Sequence, residues 1–144
     1  MPEPAAAPVV LDASALLAHL GDEPGADLVS EQIAAGATIA TVNLTEVLST
    51  LATRGQDPAA VASQLTARGL LDGAITVAPF LTADAIEAAR LRPLTREAGL
   101  SLADRCCLAL ARRLAAPVLT SDHAWRGLPL DVDVRPIRGP DRPA

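Results

Sequence analysis

Apolar and polar positions fall along this chain in short blocks of two alternating kinds. Val9-Val10-Leu11 is a compact apolar run of strand length that stops at Asp12. Such a run is the pattern of a strand covered on both faces. Ala13 to Leu20 follows at once and is rich in Ala and Leu, the strongest apolar helix formers. The same alternation recurs to the end of the chain. It predicts strands at Pro8–Leu11, Thr38–Thr41, Ile75–Ala78 and Pro117–Thr120, with a last edge strand at Val132–Pro136 whose Pro suits an edge. Between them it predicts helices at Ala13–Leu20, Ala26–Ala35, Leu44–Thr53 capped by Asn43, Pro58–Leu71, Ala83–Leu91 capped by Thr82, and Leu102–Leu114. Gly21 to Gly25, Asp72-Gly73 and Arg92-Pro93-Leu94 read as breaks.

Strands that alternate with helices make βαβ crossovers, hence an α/β fold with a mainly parallel sheet and helices on both faces. No linker or repeat divides the 144 residues. The expectation is one domain, 1–144, with an ordered core over 8–137 and tails at 1–7 and 138–144.

Composition narrows the chemistry. The chain has no Lys, and its 12 basic residues are all Arg. That excludes the phosphate-loop ATPase motif and Schiff-base chemistry. Phe80 and Trp125 are the only aromatic residues, so no base-stacking platform exists. The net charge of −5 argues against broad nucleic-acid binding by a basic surface. It leaves room for a nucleic acid held through a divalent cation and a few Arg. Cys106 and Cys107 are adjacent, lack zinc-ligand spacing, and fit free thiols in a reducing compartment, the cytoplasm. The first eight residues have neither the basic region nor the apolar core of a signal peptide. No segment has the ~18–20 apolar residues of a membrane span.

Four acids share one context. Asp12 follows the first strand, Glu46 lies in the first turn of the helix after the second, Asp104 in the first turn of the helix after Ser101, and Asp122 follows the fourth strand. In an open parallel sheet, the strands' C-terminal edge is where ligands bind. Each acid singly also suits a helix start. Asp12 reads as an N-cap, and Asn43-Leu44-Thr45-Glu46 and Ser101-Leu102-Ala103-Asp104 both read as capping boxes. Taken as a set, carboxylates crowded together repel and hold their protons unless a cation compensates. All-oxygen ligation suits Mg²⁺, with Mn²⁺ as a substitute, and not zinc. The matching chemistry is metal-activated water attacking a phosphodiester in line.

These residues carry a resemblance. Val10-Leu-Asp12-Ala-Ser14-Ala-Leu-Leu, Asn43-Leu-Thr-Glu46-Val-Leu, Leu100-Ser-Leu-Ala-Asp104-Arg-Cys-Cys-Leu-Ala-Leu-Ala111 and Val118-Leu-Thr-Ser-Asp122-His-Ala-Trp125, in this order, resemble a PIN-domain ribonuclease. In particular they resemble the VapC-family toxin of a VapBC-type toxin–antitoxin pair. The resemblance runs from about Val9 to Pro136. It implies a PIN-like three-layer α/β/α sandwich with a central sheet of about five strands. It implies a Mg²⁺-dependent endoribonuclease toxin that leaves 5′-phosphate and 3′-hydroxyl ends. Asp12 and Asp104 would be the most direct metal ligands, and Glu46 and Asp122 would complete the shell, partly through water. Ser14 matches a polar position beside the metal, and Thr120 and Ser121 the polar turn before the fourth acid. The implied partners are RNA, a cognate VapB-like antitoxin seated on a groove around Val42 to Leu71, and a second copy or a toxin–antitoxin hetero-oligomer. Trp125 departs from the more common Phe-type aromatic, a packing difference.

Other side chains read as structural. His123 adjoins Asp122, but a carboxylate–metal mechanism needs no His base. Cys106 and Cys107 suit the core. Arg54, Arg68, Arg90, Arg92, Arg96 and Arg126 are candidates for phosphate contact or for a solvated surface. A phosphatase of the haloacid dehalogenase type also places Asp after its first strand, but it needs a second Asp two positions on and a Lys. The chain has Ser14 there and no Lys. A receiver domain fails on the missing Lys as well. The competing class is a catalytically inactive PIN-like module that binds RNA or protein, and the intact set of four acids argues against it.

Overall fold

The computed structural model describes residues 8–140; the tail expected at 1–7 lies outside them. Its centre is a sheet of five parallel strands, β1 (Val9–Leu11), β2 (Ala37–Ala40), β3 (Ile75–Ala78), β4 (Val118–Thr120) and β5 (Val134–Pro136), in the order β3-β2-β1-β4-β5. The connections supply α1 (Ala13–Leu20), α2 (Ala26–Ala35), α3 (Thr41–Thr53), α4 (Pro58–Ala67), α5 (Thr82–Thr95) and α6 (Leu102–Leu114).

Strand periodicity builds the two faces of the sheet. Val9 and Leu11 point to one side, where they pack with Leu16 of α1, Val29 of α2, Val47 of α3 and Leu65 of α4. Val10 points to the other, against Leu91 of α5, Leu108 of α6 and Trp125. All three residues of β1 are buried, as a strand covered on both faces requires. The result is the three-layer α/β/α sandwich. Gly25 joins the helices to the far edge: at φ 96°, a Cβ there would fall 2.7 Å from the carbonyl oxygen of Ile137, so only Gly fits.

Several boundaries differ from the sequence expectation, each for a local reason. Strand two ends at Ala40, which is the extended N-cap of α3 without any side-chain cap. Helix α3 therefore starts at Thr41, and Asn43 lies inside it rather than capping it. Helix α4 stops at Ala67, because the amides of Leu70 and Leu71 turn back onto the carbonyl of Leu65. Helix α5 is capped from Leu81, whose amide donates to Asp84 Oδ2 at 2.9 Å, and not by Thr82. It also runs through Pro93 instead of ending at Leu91. Leu91 and Thr95 are buried before and beyond that Pro, and the Thr95 hydroxyl donates to the Leu91 carbonyl at 2.8 Å. Burying one more turn of α5 outweighs the hydrogen bond that Pro removes.

The edge strand expected from Val132 is shorter, Val134–Pro136. Beyond it the chain stays on the fold past 137. The Ile137 amide donates to the Thr120 carbonyl at 2.9 Å, and the Arg138 guanidinium to the Pro24 carbonyl at 3.1 Å. Among the described residues, no helix is long and apolar enough to cross a membrane.

Candidate active site

In this sheet β1 has β2 on one side and β4 on the other, so the crossovers leave it in opposite directions. Such a reversal opens a crevice at the C-terminal edge. Asp12 ends β1 and sits at that crevice. Its position is over-determined. Oδ1 accepts from the Ala15 amide at 2.8 Å, which makes Asp12 the N-cap of α1, and from Ser14 Oγ at 2.7 Å. Oδ2 accepts from Thr120 Oγ1 at 2.5 Å.

The same two hydroxyls pass the order on to the next strand. Ser14 Oγ accepts from the Ser121 amide at 2.9 Å, and Thr120 Oγ1 from the Asp122 amide at 3.0 Å. Asp122 in turn accepts from the Ala124 amide at 2.8 Å and opens a single 3₁₀ turn over His123–Trp125. Ser14, Thr120 and Ser121 thus join the first and fourth acids into one hydrogen-bonded unit.

The other two acids come from helices. Asp104 sits in a capping box at the start of α6: it accepts from the Ser101 amide at 2.9 Å, and its own amide donates to Ser101 Oγ at 3.1 Å. Capping and a site role therefore coexist in one residue. Glu46 lies in the second turn of α3, not the first, because the helix begins at Thr41. It accepts from Asn43 Nδ2 at 3.0 Å. Asp12, Glu46, Asp104 and Asp122 all line one cavity of about 580 Å³, with Ser14, Ser121, His123 and Pro140 on its wall and no Arg among the lining residues. Thr120 lies behind it, fully buried.

The electrostatics follow from that arrangement. Burial pushes Asp12 from the usual 3.8 up to about 6; the bonds from Thr120, Ser14 and Ala15 oppose the rise, and the nearby Asp104 charge adds to it. Asp104 and Glu46 also titrate above the ordinary range, burial again being the main cause. Asp122 pushes Asp104 further up, and Asp104 does the same to Glu46. Asp104, which raises both Asp12 and Glu46, is thus the centre of the repulsion, as expected for like charges crowded together.

A divalent cation fits this donor set. The oxygens are carboxylate and hydroxyl, the acids are crowded like charges, and among the described residues no Arg lines the wall to neutralise them. Among the described residues, no three His, Cys, Asp or Glu side chains close into a ready-made metal cage. Mg²⁺ does not need one, since it keeps several waters and takes one or two carboxylates.

The structural expectations for other residues hold. Cys106 and Cys107 are buried free thiols, with burial raising both. Trp125 is buried in the core against the face of Val10. His123 Nε2 donates to the Arg138 carbonyl at 2.6 Å, which anchors the segment leading to Pro140. Two residues escape a sequence reading. Asn43 looks like a cap and is instead a buried donor to Glu46. Asp84 looks like an exposed helix acid, yet it is buried and paired with Arg113 at 2.8 Å on the outer α5–α6 layer.

A five-stranded parallel α/β sandwich with a four-carboxylate cavity at its switch point is the class that the fold and the site define. The sequence matches the PIN-domain family over residues 9–129, and the chain belongs to that family. Solved structures share the fold at low identity. A toxin–antitoxin complex from Klebsiella pneumoniae is 16% identical with a TM-score of 0.65, covering 90% of this chain and 97% of the other. FitAcB from Neisseria gonorrhoeae is 18% identical with a TM-score of 0.66 at the same coverage. DNA-bound VapBC from Salmonella typhimurium is 14% identical with a TM-score of 0.65, again covering 90% and 97%. No curated protein is similar enough in sequence to match.

Proposed function

We propose that this PIN domain is a Mg²⁺-dependent endoribonuclease, the VapC-type toxin of a cytoplasmic toxin–antitoxin pair. The observation that carries the reading is the convergence of Asp12, Glu46, Asp104 and Asp122 on one cavity that, among the described residues, no Arg lines. Asp12 and Asp104 would hold the cation most directly, and Glu46 and Asp122 would complete the acidic set around it. When bound, Mg²⁺ supplies Lewis acidity and an activated water for in-line attack on phosphorus. The chain's own part is preorganisation. Ser14, Thr120 and the Ala15 amide fix both oxygens of Asp12, so the carboxylate does not rotate as a substrate arrives. The Ser101 amide holds one oxygen of Asp104, and the Ser101 hydroxyl holds the Asp104 backbone.

The toxin reading draws support from the neighbours in complexes with antitoxins. A second cavity fits the antitoxin's seat. It lies between α1, α3 and α4, lined by Leu17, Leu20, Leu51, Val61 and Leu65 with Arg54 and Arg68 at its rim. Leu17 lines this groove and the acidic cavity alike, so a segment lying in the groove reaches the site's edge.

The test uses purified antitoxin-free protein incubated with total RNA and Mg²⁺, beside EDTA and Asp12→Asn controls, with cut ends mapped by sequencing. Discrete Mg²⁺-dependent cuts bearing 5′-phosphates, absent from both controls, are expected. Cleavage that persists in EDTA or in Asp12→Asn overturns the mechanism. RNA retained but never cut points to the inactive binding module.

A further inference from the structure

Asn43 occupies a place where stability alone would favour a different residue. It lies on the buried stripe of α3 with Val47 and Leu51, and it is wholly inaccessible to solvent. Its Oδ1 is buried without a hydrogen-bond partner. An unpartnered buried oxygen costs stability, and an apolar side chain at this point of the stripe would remove the cost.

What the residue gains is on its other atom. Nδ2 donates to Glu46 Oε1 at 3.0 Å and to the Ala103 carbonyl at 3.1 Å. Both partners are acceptors only, so the amide has one orientation and both its protons are used. Ala103 immediately precedes Asp104. One side chain therefore ties the Glu46 carboxylate of α3 to the first turn of α6, where the capping box holds Asp104. Asp12 and Asp104 have other anchors. Among the described residues, Asn43 is the only hydrogen-bond partner of the Glu46 carboxylate.

We propose that Asn43 is the positioning residue of the acidic site, setting the placement of Glu46 relative to Asp104 and so the site's affinity for its divalent cation. This rests on the metal-nuclease reading above. It is an outer-shell role: Asn43 acts through Glu46 and does not line the cavity. Such partners are worth about 10–100-fold in metal affinity.

The experiment is a double-mutant cycle on Mn²⁺ binding to the full chain, followed by calorimetry without RNA, beside thermal melts and RNA cleavage. Asn43→Leu is close in volume and removes the orphan oxygen, so a cooperative melt near that of the wild type is expected. Its Mn²⁺ affinity should fall about 10–100-fold. Cleavage should fall at limiting Mn²⁺ and recover when Mn²⁺ is raised. Glu46→Ala should weaken binding too, and Asn43→Leu/Glu46→Ala should bind no worse than Glu46→Ala alone. A general packing role would instead lower the melting temperature and multiply with the Glu46 loss. If Asn43→Leu does not fold, the smaller Asn43→Ser, which keeps one donor, takes its place in the cycle, with intermediate affinity expected. Wild-type affinity in the Asn43 variant, or full additivity with Glu46→Ala, overturns the inference while leaving the nuclease reading intact. A wild type that neither binds Mn²⁺ nor cuts RNA overturns both.

Discussion

Thr120 donates its hydroxyl to Asp12 at 2.5 Å across 108 residues of sequence, and the same oxygen accepts the Asp122 amide. One buried side chain thus fixes the first acid and the turn that presents the fourth. Thr120→Val keeps the shape and removes both bonds. The Thr120 bond lowers the Asp12 pKa, so its loss should raise that pKa further, as read by ¹³C carboxyl titration. Mg²⁺-dependent cleavage should fall about 10–100-fold, and stability by about 1–2 kcal/mol for the orphaned partners. An Asp12 titration indifferent to this substitution would falsify the linkage.

Asp12 also makes a prediction about pH. Its carboxyl titrates near 6 in the folded protein against 3.8 as its ordinary value, so folding favours the protonated form. Stability from this group is fully present below about pH 4 and is lost as pH rises through 6. The loss is on the order of 2–3 kcal/mol for so buried a group. Metal-free Asp12→Asn has no such charge to bury. It should melt higher than the wild type at pH 7 and show a flatter stability profile between pH 4 and 6, while losing cleavage. Chemical denaturation in EDTA at several pH values measures both.

Adding the cation should reverse that penalty. A ligand that binds only the native state stabilises it by about 2.7 kcal/mol at one hundred times its Kd. Mg²⁺ or Mn²⁺ should therefore raise the wild-type melting temperature by several degrees at pH 7.5. The shift should shrink below pH 6, where protons compete for Asp12, Asp104 and Glu46, all of which titrate above their ordinary range. EDTA should abolish it, and Asp12→Asn or Asp104→Asn should show little of it.

The acids are legible in the sequence because each sits hard against an apolar run, and an α/β alternation sends the ends of β1 and β4 and the helix after β2 to one edge. Asn43 is not legible. Thr41 and Val42 are β-branched and extend the apparent strand, which moves the apparent helix start onto an Asn, a residue type that caps helices well. The true start is the unassisted Ala40, and tertiary contact with Ala103, 60 residues away, decides what Asn43 does. Pro93 misleads similarly, since local propensity says stop while the burial of Thr95 says continue. Thr120 and Ser121 are visible as a polar turn, but the bonds that make them part of the site cross from one strand to another.

Asp84 and Arg113 supply a contrast, a buried charge with no part in the chemistry. Arg113 meets both oxygens of Asp84, at 2.8 and 3.2 Å, and Asp84 also holds the Leu81 amide. The pair lies between α5 and α6, and neither residue lines the acidic cavity. Removing one partner of a buried pair strands the other, at about 3–5 kcal/mol in full burial. Arg113 is one-third exposed, so Arg113→Ala should cost near or below the lower end of that range, read by denaturation. Asp84→Ala should cost at least as much, because it also uncaps α5. Cleavage per folded molecule should stay unchanged in both. That separates them from Asp12, Glu46 and Asp104, where substitution should remove activity and leave the fold in place, so burial of an acid in this domain does not by itself mark function.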